Sequence, residues 1–175
     1  MVVRPAVVFV VGGIVVLAGC TSSQSAEKPE VEPSASAPDT SGAEERALEA
    51  YEGMMQALVD GSHEGATESS EIDWYAKGQA AELTQEMLTG VEATGEPVFA
   101  PEVDKVDLDA DPPTVTIEDC IDDNEWRIVE EDLDSLKGDL EDGEGPRPAT
   151  AKVTEEAGSW RVAKLWFGEY GECEQ

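Results

Sequence analysis

The chain is poor in bases, histidine, cysteine and aromatic residues. Its 175 residues include 11 Lys+Arg against 40 Asp+Glu, one His, three Cys and 6% aromatics, for a formal net charge of −29. The shortage of bases excludes nucleic-acid binding, which needs Lys and Arg to neutralise phosphates. It excludes a polybasic membrane-surface protein on the same ground. A single histidine leaves no room for a histidine-rich metal centre or a Ser-His-Asp triad. No glycine-rich phosphate loop is present, and nothing in the pattern calls for a cofactor. Residues 6–16 (AVVFVVGGIVV) form the longest apolar run, yet a spanning helix needs about 20 such residues. The length allows one ordinary domain, or one domain with a tail.

What is present begins with an address. Residues 1–19 read as a signal peptide, with Arg4 the sole charge ahead of the apolar run. Leu17-Ala18-Gly19-Cys20 resembles the lipobox of bacterial lipoproteins. The resemblance implies cleavage before Cys20, diacylglycerol on its sulfur and a fatty acyl chain such as palmitate on the new amine. That makes Cys20 the link to the cell membrane, on its extracytoplasmic face. Two or three acyl chains anchor stably where a single chain holds only marginally. Residues 20–42 follow as the lipidated cysteine and a Ser/Pro-rich stretch without hydrophobic periodicity. Such a segment cannot bury enough surface to offset its ordering entropy. It reads as a disordered tether for one α+β domain over residues 43–175.

With Cys20 assigned to lipid, Cys120 and Cys173 remain. In an exported chain two cysteines suggest one disulfide, which a loop of that length would make worth roughly 4 kcal/mol. The rival, two metal-bound thiolates, lacks a CxxC and a nearby histidine.

Residues 41–61 carry Leu48, Tyr51, Met54, Met55, Leu58 and Val59 at three- and four-residue spacing, which predicts an amphipathic helix. Ser41 and Glu44 suggest its capping box, and Gly61 its C-terminal glycine. His63 falls in the loop that follows. A second helical region is expected over 71–91, broken at Gly78, with Ala80, Leu83, Met87 and Leu88 on its apolar face. From Gly95 the period changes to two. Strands are expected within 98–108, 114–120, 126–130, 148–155 and 159–169, the last two joined at Glu156-Ala157-Gly158. Apolar residues on both faces of the last strand predict that it is central, with Leu165 and Phe167 offering a dimer surface. Residues 139–145 (DLEDGEG) are expected as an exposed acidic loop.

Helices followed by a curved antiparallel sheet resemble the cone-shaped fold of the nuclear transport factor 2-like superfamily, and in particular bacterial lipoproteins of that fold. The residues that carry the resemblance are the lipobox, the Ser/Pro tether, Trp74-Tyr75-Ala76-Lys77-Gly78, the strand 115–120 with Ile121-Asp122-Asp123 and Trp126 after it, Trp160-Arg161-Val162 and the terminal Cys173. The resemblance implies two or three helices on a sheet of four to five strands and a bond between Cys120 and Cys173. It also implies an apolar pocket in the cone, which Tyr51, Trp74, Tyr75, Trp126, Trp160 and Trp166 would line or fill.

Some enzymes of that superfamily place a carboxylate and a hydroxyl donor in the cone, and Asp73 or Asp119 is a candidate carboxylate. The first expectation is nevertheless a non-enzymatic binding or scaffold domain, with a homodimer or protein partner on the sheet. An isomerase- or hydratase-like enzyme is the alternative, and an acidic, cation-attracting surface protein a third. Asp107-Leu108-Asp109-Ala110-Asp111 resembles the start of a calcium loop with Glu118 at position twelve, but Pro112 stands where an EF-hand needs glycine. Weak calcium binding by dense acids is expected instead.

Overall fold

The computed structural model describes residues 40–88, 90–129, 143 and 145–174. The expected signal peptide, Cys20, the expected tether through residue 39 and most of the expected acidic loop lie outside the described residues. Among the described residues the architecture is α+β: three helices, a four-stranded antiparallel sheet and a separate two-stranded one.

Helix α1 (Ser41–His63) buries Ala43, Ala47, Ala50, Tyr51, Met54, Ala57 and Leu58 along one stripe, the face its three- and four-residue spacing dictates. It begins at Ser41 as the spacing predicts, although composition alone gave Ser41 and Gly42 to the tether; its capping and its C-terminal end differ from expectation. The N-cap is Thr40 with no side-chain cap bond. A serine already inside the first turn is not placed to cap it. Gly61 is buried within the helix and does not end it; a Cβ there would lie 3.1 Å from Leu88 Cδ2, so its smallness admits that side chain. The second helical region divides into α2 (Ile72–Tyr75) and α3 (Gly78–Glu86), with Gly78 at φ +53° where they part.

Strands β1 (Ala93–Thr94) and β4 (Arg127–Ile128) form the small sheet. The large sheet comprises β2 (Glu102–Asp107), β3 (Thr114–Ile121), β5 (Arg147–Glu156) and β6 (Ser159–Phe167), in that spatial order. Val115, Ile117, Ala149, Ala151, Val153, Val162 and Leu165 point inward and are almost wholly buried with α1 in one core. The β5–β6 turn places Ala157 at φ 53° and Gly158 at φ 84°, the left-handed pair that a two-residue hairpin needs.

The last strand is long, as expected, but lies at the sheet edge and not in its centre. Its open side is covered by the chain between α2 and α3. Ala76 bridges Val162 in parallel, Lys77 N–H donates to the Val162 carbonyl at 2.8 Å, and the Gln79 side chain bonds both N–H and C=O of Leu165 at 2.9 Å. A bulge at Ala163 shifts the alternation, so Trp160 and Val162 before it and Leu165 and Phe167 after it all face inward. Leu165 is therefore buried and cannot offer the expected dimer surface, while Phe167 packs partly buried against the core. The residues of β6 that alternate outward are Arg161, Lys164 and Trp166.

Candidate functional site

Strand alternation puts an acid at a core position. Val115, Ile117, Asp119 and Ile121 occupy the inward register of β3, and Asp119 is 5% exposed. A carboxylate taken from water needs donors, and two neighbouring elements supply them. Tyr51 of α1 donates its hydroxyl to Asp119 Oδ2 at 2.8 Å, and the Ala100 N–H, just ahead of β2, donates to Oδ1 at 2.7 Å. Burial pushes the Asp119 carboxyl above its ordinary range, while these donors and the Cys120 N–H pull it partly back. Burial and the adjacent carboxylate drive the Tyr51 hydroxyl strongly upward, so it stays protonated and donates. The pair ties helix to sheet, and Asp119 borders a surface groove of about 670 Å³.

Cys120, next along β3, points to the other side and joins Cys173 through an S–S bond of 2.04 Å. The expected disulfide is formed, and it fastens the C-terminal segment beside the same groove. Asp73, the other candidate carboxylate, is exposed in α2. His63 is engaged, its Nε2 lying 2.7 Å from the Gly95 carbonyl oxygen.

The six aromatic candidates do not meet in one chamber. Tyr51 and Trp160 are buried in the core, and Tyr75 and Trp126 pack against it, with Trp126 Nε1 donating to Ser62 Oγ at 2.9 Å. Trp74 and Trp166 are 64% and 46% exposed. Trp74, Tyr75 and Trp160 border a shallow depression of about 240 Å³ beside Arg46, whereas Trp166 borders a separate groove of about 1080 Å³.

That second groove holds a cluster the sequence did not announce. The Arg147 guanidinium lies 4.5 Å from the Phe167 ring centre and 4.8 Å from that of Tyr170. It pairs with Asp123 at 3.2 Å, and the Tyr170 hydroxyl donates to the same carboxylate. Its members are scattered over nearly fifty positions, so no local spacing could reveal it.

The calcium-like spacing dissolves in the register. Asp107 pairs with Thr114 at the turn end of the β2–β3 hairpin, while Glu118 pairs with Glu102. Four strand residues therefore separate Glu118 from the turn, about 13 Å. Among the described residues no group of three His, Cys, Asp or Glu side chains is placed to hold a metal ion.

No family model, curated protein or solved structure matches the chain.

Proposed function

We propose that the chain is a lipoprotein anchored through Cys20 on the extracytoplasmic face of the cell membrane. Its α+β domain acts as a non-enzymatic binding or scaffold module built on the nuclear transport factor 2-like cone. The observation that carries the non-enzymatic part is occupancy. Tyr51, Met54, Leu58, Ile117 and Leu165, each at 0–1% exposure, fill the space between α1 and the sheet where a cone pocket would lie. A ligand or partner, a second copy included, then meets the outer surface. A disulfide fits an oxidising compartment, as the anchor reading requires. The test is labelling of the full-length chain, expressed in a bacterium, with a clickable palmitate analogue. Label that enters the wild type and is abolished by Cys20→Ser supports the anchor; a wild type that takes up none removes it.

A second reading, an isomerase- or hydratase-like enzyme, is favoured by one observation: the Asp119 carboxyl is raised and held beside a hydroxyl donor. A general base needs an oxygen within reach of substrate, and here the carboxylate is 5% exposed with a donor from the protein on each oxygen. Deuterium exchange into small ketones, present in wild type and absent in Asp119→Asn, would move the enzyme to first place. The acidic coat also supports weak calcium binding, and calorimetry showing no heat at millimolar calcium would dismiss it.

A further inference from the structure

We propose that the outer face of β5 and β6 binds a sparsely charged anionic glycan, a sugar chain whose repeat carries one carboxylate or phosphate. The inference rests on the binding-module reading and names the ligand class for its exposed sheet.

The register sorts the outward side chains into rows across the four strands. One row reads Lys105, Thr116, Lys152, Lys164. On one side of it lies Glu102, Glu118, Thr150, Trp166, and on the other Asp107, Thr114, Thr154, Arg161. From residue 43 onward the chain holds 36 acids and nine bases, and four of those bases stand on this one face. Lys152 and Lys164 are direct cross-strand partners, an arrangement that destabilises a sheet through like-charge repulsion. The acids in these rows stand on β2 and β3. On β5, Glu156 stands at the turn and pairs with Lys77 at 2.7 Å. On one side of the lysines, Trp166 keeps 46% of its surface exposed, with Lys152 Nζ 5.8 Å from its ring centre.

Cations beside an open indole and the Thr150 hydroxyl select a ligand with negative charge, a flat apolar ring face and hydroxyls of its own. A charged pyranose has all three. A duplex nucleic acid, with one charge per about 1.7 Å, would bring its charge against the acids of the rest of the domain. An extended acidic peptide would add along a strand edge, but the β6 edge is taken by Ala76, Lys77 and Gln79, and β2 carries Glu102 and Asp104. A glycan with one charge per repeat meets the lysines while spreading little charge elsewhere.

The test is calorimetric titration of the full-length protein in detergent with hexagalacturonate, with maltohexaose as the neutral probe and hexaglutamate as the peptide probe. The expected result is binding of hexagalacturonate alone, weakened by added salt. The double variant Lys152→Glu/Lys164→Glu abolishes it, Lys152→Gln/Lys164→Gln weakens it, and Trp166→Ala weakens it roughly tenfold. These side chains are exposed, and circular dichroism confirms that each variant folds. No heat with hexagalacturonate overturns the proposal, as does equal binding of maltohexaose. Hexaglutamate binding indifferent to Trp166→Ala makes the occupant an acidic peptide, and self-association broken by Lys164→Glu makes it a second copy; either overturns the glycan. Failure of the palmitate labelling removes the anchor and leaves this titration unaffected, so the two failures are distinguishable.

Discussion

The two faces of the large sheet are written by alternate residues of the same strands, yet they do opposite work. The inner face is aliphatic and closed: Val115, Ile117, Ala151, Val153, Val162 and Leu165 are all at 0% exposure. The outer face is polar: threonines, bases and one tryptophan, with the acids Glu102, Asp107 and Glu118 on β2 and β3. Each face has one exception, and the two are neighbours on β3. Asp119 is an acid on the apolar side, and Cys120 is a covalent staple on the wet side. Stability should therefore follow the face everywhere except at these two positions.

The largest break in that comparison is on the outer face. Replacing Cys120 and Cys173 by serine should cost about 4 kcal/mol, read as a lower urea midpoint for the full-length chain. Next comes the inner face proper. Leu165→Ala should cost about 3 kcal/mol, whereas Trp166→Ala, one residue on and outward, should stay within about 0.5 kcal/mol in the same measurement. Equal costs at the two positions would mean that the faces are not distinct.

Asp119 sharpens the contrast through pH. Burial raises its folded-state value, so the folded chain holds that proton to higher pH than the unfolded chain does. Its contribution to stability is then fullest below the ordinary carboxylate range and is lost as pH rises through the raised folded value. Asp119→Asn should remove this limb, so that the urea midpoint of wild type falls relative to that of the variant as pH increases over that interval. Tyr51→Phe deletes a bond that favours the ionised form, and should cost about 2 kcal/mol at neutral pH and less in acid. The smallest effect is at the β5–β6 turn. Ala157 holds a left-handed conformation that asparagine adopts more readily, so Ala157→Asn should raise stability by about 0.5 kcal/mol.

Much of the scaffold was legible because periodicity is local. The three- and four-residue spacing of Tyr51, Met54 and Leu58 and the alternation of Val115 and Ile117 are visible in short windows, and five of the strands follow from such patterns. Edge and centre are not local properties. Ala76 and Gln79, some eighty residues earlier, cover the edge of β6, and the bulge at Ala163 that returns Leu165 and Phe167 to the inner face made the strand read as apolar on both sides and hence central. The site was half legible. Asp119 shares the register of Val115 and Ile117, which marks it as inward, but its donors come from Tyr51 and Ala100, and only the fold brings those together. The lysine row was invisible for the same reason, since its members lie on three strands and acquire meaning only when the register is known.

The bond between Cys120 and Cys173 has a consequence for cleavage. It closes a covalent ring with a sequence separation of 53, which contains β4, β5 and β6. A protease that cuts once inside that ring opens a loop without liberating a fragment. The nicked molecule keeps its full mass until a reductant separates the pieces, and every strand within the ring stays joined to the helical half of the chain.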